Sequence, residues 1–267
     1  MAEARVGNLT VVLNGYKRPH VLKEQYEAIM ASTIKPAEVM FWQNDGGMST
    51  SFPKDVVDSC VSFRGNSNLG VWSRFAFALM AKTKYVCVFD DDTIPGNRWF
   101  ENCILNNKTH RGLQGTVGVV FDSDRGYDGP YHRIGWPGPN EHSEQADIVG
   151  HSWFFEKELL TAFWRELPDP KFIRCGEDIH FSYSIQKHLG LNTHVPPHPK
   201  GDTSLWGSQP DKAMRYGTDL VAVSNPQTNG GLSMNEMVMI CRSKGYQFVR
   251  DRSIKQQVES TLPVESI

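Results

Sequence analysis

In the stretch Lys84-Tyr85-Val86-Cys87-Val88-Phe89-Asp90-Asp91-Asp92, a compact and almost wholly apolar run ends abruptly in three carboxylates. A run without polar alternation predicts a strand covered on both faces, as in parallel sheets. Adjacent carboxylates repel one another and are costly unless a cation or several donors neutralise them. A solvated acidic turn, or a helix start where aspartate caps the chain, is the ordinary alternative. Position separates the two readings, because a buried strand would deliver the triplet to the edge where α/β sheets gather ligands. Oxygen ligands suit Mg²⁺ or Mn²⁺, which keep part of their coordination sphere for water and substrate phosphates. A divalent cation completed by a diphosphate is therefore the expected guest.

Outward from this strand the pattern repeats. Residues 9–14 form an apolar, β-branched run that ends in Asn14-Gly15-Tyr16-Lys17-Arg18-Pro19, and helix-compatible periodicity follows over 21–32. Residues 38–43 read as a second strand stopped by Asn44-Asp45-Gly46-Gly47, and Asn66-Ser67-Asn68-Leu69-Gly70 opens a helix over 71–82. Alternating strands and helices predict an α/β fold with a mostly parallel, doubly wound sheet flanked by helices. A strand is expected at 116–121, and the Gly-, Pro-, Asp- and His-rich stretch 122–144 reads as a functional loop. Within it, Tyr127 to Arg133 and the nearby Trp136 have the aromatic and polar mix of a flexible lid over a polar ligand, although the same chemistry serves equally as scaffold. Another strand is expected at 147–155, helices at 157–165 and 177–189, a loop at 196–207, one helix at 233–244 and a charged, disordered tail. We expect one domain: a first half over about 8–115, a second over about 116–210, and an extension over about 211–267.

Composition bounds the partners. The 267 residues carry a formal net charge of −2, which gives no bulk attraction to nucleic acid or to an anionic membrane. The five cysteines lack C-x-x-C spacing and read as buried reduced thiols. No apolar run approaches the roughly 20 residues of a membrane span, and the expectation is a soluble, cytoplasmic protein. The phosphate-binding patterns G-x-x-x-x-G-K-[ST] and G-x-G-x-x-G after a strand are both absent.

A second acidic pair stands in Cys175-Gly176-Glu177-Asp178-Ile179-His180, at the expected start of a helix after a turn-forming glycine. Helix capping accounts for such a pair and does not exclude catalysis. In Gly150-His151-Ser152-Trp153 the indole is suited to stack on a pyranose or to fill the core. In the loop around Pro196-Pro197-His198-Pro199-Lys200, a histidine can complete a metal site and a lysine can meet phosphate, although a surface histidine is the commoner outcome.

Phe89-Asp90-Asp91-Asp92 resembles the Asp-x-Asp motif of GT-A glycosyltransferases, which follows a buried strand and binds metal and nucleotide sugar. The resemblance runs over residues 9–206 and is closest to exostosin-like and family 2 type enzymes. It implies a metal-dependent glycosyltransferase using Mn²⁺ or Mg²⁺ and a UDP-sugar, with a glycan hydroxyl as acceptor. Asn14, Tyr16, Arg18, Asn44 and Asp45 would surround the nucleoside. Asn68, Leu69, Gly70 and Arg74 would approach ribose and diphosphate, although Arg74 reads equally as a structural partner of the aspartates. Asp90 and Asp91 would meet the nucleotide sugar, and Asp92, Asp90 and His198 the metal. His151, Trp153 and Trp136 would contact the acceptor. In an inverting enzyme Asp178, or else Glu177, would take the proton of the attacking hydroxyl. Exostosin-like enzymes are retaining, which leaves stereochemistry open. UDP-xylose, UDP-glucose and UDP-GlcNAc are the donor candidates, for building a cell-surface or viral glycan. The rival readings are a nucleotidyltransferase, a non-catalytic sugar-binding module and a metal-independent hydrolase with two carboxylates.

Overall fold

The computed structural model describes residues 5–44, 51–217 and 233–253. Asp45 therefore lies outside the described residues. The elements run β1 (Arg5–Val6), β2 (Leu9–Gly15), α1 (Pro19–Met30), β3 (Ile34–Lys35), β4 (Glu38–Gln43), α2 (Lys54–Asp58), β5 (Val61–Arg64) and α3 (Ser73–Ala78). They continue β6 (Tyr85–Phe89), α4 (Trp99–Thr109), β7 (Gly112–Phe121), β8 (Tyr131–Gly135), β9 (Glu144–Ala146) and β10 (Ile148–Glu156). The chain then forms α5 (Leu160–Phe163), α6 (Glu177–Leu189), β11 (Asn192–Val195), α7 (Pro210–Tyr216) and α8 (Met234–Ser243).

Among the described residues, nine strands make one sheet in the order β5-β4-β2-β6-β10-β7-β11-β9, with β8 beside β7. The strands β5, β4, β2 and β6 are parallel, so their carboxyl ends share one edge. β10 then enters antiparallel to both β6 and β7. The parallel expectation thus holds for the first half. In the second half it holds only for β11, which lies parallel to β7, while β8, β9 and β10 pair antiparallel; between β7 and β10 the described chain makes one short 3-10 turn and the strands β8 and β9, with no α-helical crossover.

The continuous apolarity of β6 has its reason in the packing. Val86 and Val88 join Trp72, Phe75 and Phe155 on one side of the sheet, while Cys87 and Phe89 join Trp99, Phe100 and Phe154 on the other. Both faces are covered, so neither tolerates a polar residue. The stretch read as a flexible lid is instead strapped down, with β8 pairing β7 from Val117–Gly135 to Phe121–Tyr131. Its glycines serve turns: Gly126 and Gly135 have φ of 60° and 75°, a region that glycine enters at little cost.

The polypeptide after α8 is fastened by one buried carboxylate. Asp147 accepts the backbone N–H of Phe121 at 2.8 Å and of Val249 at 2.6 Å, and its carbonyl accepts the Tyr246 hydroxyl. Burial pushes its carboxyl up to about 6, against those two N–H donors. Asp147→Ala orphans both N–H groups and is expected to cost about 1–3 kcal/mol for each one left unpaired, read as a lower urea midpoint. A loss under about 0.5 kcal/mol, the size of an ordinary surface change, would mean that the segment is not anchored there.

Candidate active site

The helix α1, the residue that precedes it and the strand β10 fix the aspartate triplet at the carboxyl end of β6. From α1, the Gln25 carboxamide donates to the carbonyls of Asp90 and Thr93, both at 2.7 Å, and clamps the turn. From β10, the carbonyl of His151 accepts the Asp90 N–H at 3.0 Å. At the foot of α1, Arg18 reaches Asp91 at 2.5 Å and Asp92 at 3.3 Å. Burial pushes both carboxyls up to about 6; Arg18 pulls them back and the neighbouring aspartates oppose it.

Arg74 joins the triplet to the second acidic pair. Its Nη1 donates to Asp90 at 2.5 Å and its Nη2 to Glu177 at 2.7 Å, while its guanidinium stacks 4.4 Å from the Trp153 ring. The Arg74 side chain is 3% exposed. Burial acts to lower its pKa, but the two carboxylates outweigh this and raise it. Of the two readings of Arg74, the structural one holds, since both forks of the guanidinium are engaged and its remaining Nε is buried without a partner. The diphosphate-binding role is corrected accordingly.

Gly176, at φ 82°, turns the chain so that Glu177 and Asp178 open α6 toward the triplet. Their environments differ. Glu177 is raised by burial and pulled back by Arg74. Asp178 has only the Ile179 N–H, at 2.8 Å, and no ion-pair partner among the described residues. Burial, and next the Glu177 charge, push its carboxyl up to about 8.

Five carboxylates thus share this end of the cleft with two engaged arginines, Arg18 and Arg74. That surplus of negative charge fits a divalent cation. Among the described residues no group of three His, Cys, Asp or Glu forms a closed cage. The donor set therefore fits a hard cation held by one or two carboxylates and completed by substrate oxygens. His198 does not join it. Its Nδ1 bonds the Pro196 carbonyl at 2.8 Å, its Nε2 accepts the Gly207 N–H at 3.1 Å, and its ring packs between Trp99 and Trp206. With both nitrogens engaged and the side chain fully buried, His198 holds its loop together, and its assignment as a metal ligand is corrected.

The cleft measures about 930 Å³, within the roughly 300–1,000 Å³ of small-molecule sites. Asn14, Tyr16, Arg18, Asn44, Asn68 and Gly70 line one flank, at the ends of β2 and β4 and before α3. Asn44 ties that flank together, donating to Asn68 Oδ1 at 2.8 Å and accepting the Leu69 N–H at 2.9 Å. Gly70, at φ 73°, lies so close to Ile173 that a Cβ would sit 1.9 Å from its carbonyl oxygen. Leu69 is corrected: its side chain is 46% exposed and forms no part of the cleft wall, and its N–H is taken by Asn44.

The other flank is built on β7, β8 and β10. His151 has φ 65° at an irregularity in the β10 ladder between Gly150 and Trp153, and its ring lies 4.7 Å from Trp136. Such a conformation in a non-glycine residue costs about 1–3 kcal/mol and clusters at functional sites. Trp153 is corrected, because it is 2% exposed, donates to the Val149 carbonyl and presents its face to Arg74, not to a sugar. Lys200 is exposed and lies outside the cleft wall, its N–H donating to Glu141. Sequence reasoning did not single out Gln25, whose helix looked like any amphipathic helix. Arg174, one residue before the quoted acidic segment, was also missed, and Arg133 was read only as part of the lid; both line the cleft.

No family model and no curated protein matches the chain. Its fold is similar to that of S. aureus TarS 1–349 in complex with UDP, with a TM-score of 0.51, 12% identity, and coverage of 71% of this chain and 57% of that one. TarS 1–349 with UDP-GlcNAc gives a TM-score of 0.48 at 12% identity over 73% of this chain and 60% of that one. The chain thus spans about three fifths of the TarS fragment. The architecture is a Rossmann-like α/β fold with a central sheet flanked by helices, similar to that of the TarS fragment. No helix among the described residues is long and apolar enough to cross a membrane.

Proposed function

We propose that this protein is a glycosyltransferase that takes a sugar from a nucleoside diphosphate donor, a UDP-sugar, and passes it to an acceptor hydroxyl. The observation that carries the reading is the meeting, in one cleft at the carboxyl edge of the sheet, of Asp90, Asp91 and Asp92 with Glu177 and Asp178 through Arg74. Supporting it, the TarS structure of similar fold holds UDP. Asn14, Tyr16, Asn68 and Gly70 all line the cleft, and on this reading the first two receive the nucleoside and the last two the ribose.

Asp92 and Asp90 are the residues that would hold Mn²⁺ or Mg²⁺, and the cation would offset charge on the departing diphosphate. Arg18 and Arg74 hold the aspartates in place, and Arg18 draws the Asp91 and Asp92 carboxyls back toward the ionised form. Gln25 fixes the turn that carries them. Asp178, held at the start of α6 without an ion-pair partner among the described residues, takes the proton from the attacking hydroxyl. A carboxyl raised toward neutrality suits that task, because a general base works best with a pKa near the operating pH. Attack from the side of Asp178, opposite the leaving diphosphate, would invert the anomeric centre.

The test is calorimetric titration of UDP-xylose, UDP-glucose and UDP-GlcNAc, with and without Mn²⁺, into the wild type and Asp92→Asn. One donor is expected to bind only with metal, and Asp92→Asn to weaken it by about tenfold to a hundredfold, the size of losing one charged ligand. If no nucleotide sugar binds under either condition, the aspartates serve other chemistry and the reading fails.

A further inference from the structure

Of the four arginines on the cleft wall, Arg18 and Arg74 are engaged by carboxylates, whereas Arg133 and Arg174 make no ion pair among the described residues. Arg174 follows Ile173, whose carbonyl crowds Gly70, so it belongs to the nucleotide flank. Arg133 stands on the opposite one. It pairs with Val119 in the β7–β8 ladder, and strand alternation puts Tyr131 and Arg133 on one face. Its charge reaches both Tyr127 and His151, and Tyr127 in turn feels Asp178. Arg133 therefore lies on the Asp178 side of the cleft, across from the nucleotide flank.

Beside it, two ring nitrogens wait for partners. Trp136 Nε1 and His151 Nδ1 are both buried and make no hydrogen bond among the described residues, although their rings are packed together. A buried polar atom left unpaired costs about 1–3 kcal/mol, and His151 carries strained backbone as well. Unmet polar atoms, strain and an unneutralised guanidinium on one wall describe a site completed by a ligand. Arginine recognises planar or tetrahedral oxyanions through its donor fork.

We infer that Arg133, with the Trp136 and His151 rings, forms an anion subsite for the acceptor, so that the acceptor is a saccharide or polyol bearing a phosphate or carboxylate near its reacting hydroxyl. The assignment of this flank to the acceptor rests on the proposed function. The anion subsite itself can be tested apart from it.

Glycerol 3-phosphate and glucuronate, with glycerol and glucose as their neutral counterparts, are titrated into the wild type and Arg133→Gln in two ways. One titration uses protein saturated with UDP and Mn²⁺, and the other uses EDTA without nucleotide, so that no cation bridges probe to aspartates. At least one charged probe is expected to bind the wild type about tenfold more tightly than its counterpart, the size of one charge-assisted hydrogen bond. Arg133→Gln is expected to abolish that preference while leaving UDP affinity within about twofold, and a melting curve checks that the variant is folded. Which charged probe binds separates phosphate from carboxylate. Equal binding of charged and neutral probes by the wild type, or a preference that survives Arg133→Gln, overturns the inference. So does a loss of UDP affinity in Arg133→Gln, which would make the arginine a donor ligand. If the wild type binds no UDP but binds a charged probe through Arg133, the nucleotide-sugar reading falls and the anion subsite stands.

Discussion

Asp178→Asn is expected to lower sugar transfer by about 10²- to 10⁴-fold, the contribution of a positioned general base. The substitution keeps the shape of the side chain and removes its ability to take a proton. Donor affinity should stay within about threefold, because the side chain acts on the acceptor hydroxyl and the loss belongs to kcat. Glu177→Gln is a poor substitute for this test, since Glu177 holds Arg74 at 2.7 Å and its loss disturbs the aspartate triplet as well. A variant that keeps full transfer activity, or one that loses donor binding instead of kcat, would remove Asp178 from the role of base.

The pH profile offers an independent reading of the same residue. A base must be deprotonated to act, and the Asp178 carboxyl is pushed up to about 8 by burial and by Glu177. The rate at low substrate is therefore expected to climb between about pH 7 and 9 in the free enzyme, with a single ionisation governing the rise. A cation bound at Asp90 and Asp92 favours the ionised form and should move the rise toward lower pH. A profile that is flat from pH 6 to 9 would contradict the assignment. Inversion at the anomeric carbon, read by proton NMR of the first product formed, would accord with Asp178 acting as base; retention would argue for a different role.

What could be read from the chain alone depended on whether a residue's role is local. β6 was legible because burial on both faces writes an unbroken apolar run, and Asp90 to Asp92 were legible because they directly follow it. The turn at Gly176 and the helix start at Glu177 were legible for the same reason, as neighbours in sequence. Arg74 was ambiguous, since its partners are Asp90 and Glu177, the latter 103 residues away. Histidine in a proline-rich loop reads alike whether it binds metal or packs, and only the Trp99 and Trp206 rings, with the Gly207 N–H, decide the case for His198. The antiparallel entry of β10 was hidden because strand direction follows from connection geometry, which apolar periodicity does not encode. Arg133 was legible only as part of the lid for a related reason: that it makes no ion pair among the described residues is a matter of space, which a sequence does not display.

Arg74→Met should be the most destabilising single change in the cleft, because it leaves carboxylates without their buried counter-charge. The Glu177 side chain is 8% exposed and has no other cation in contact among the described residues, whereas Asp90, at 30%, can turn toward water. The penalty therefore falls mainly on Glu177, and removing one partner of a buried pair costs about 3–5 kcal/mol. Methionine fills much of the space over the Trp153 ring, so a cavity is not the main cause of the loss. The sign of the pH dependence follows from the same carboxyls. Glu177 and Asp178 are raised above their unfolded values, so their ionisation works against folding. Stability from this pair is greatest below about pH 4, and it declines as pH rises through the folded pKa of Asp178, near 8. Without Arg74 the burden grows, since no other cation among the described residues contacts Glu177. Urea unfolding at pH 5 and pH 8 should accordingly show a larger deficit for Arg74→Met at pH 8 than at pH 5, because burial favours the protonated form of Glu177 and lower pH supplies the proton that relieves the unpaired charge. An equal deficit at both values would assign the loss to packing against Trp153, and a deficit under about 1 kcal/mol would mean that water reaches Glu177 and that the bridge between the two acidic clusters contributes little to the fold.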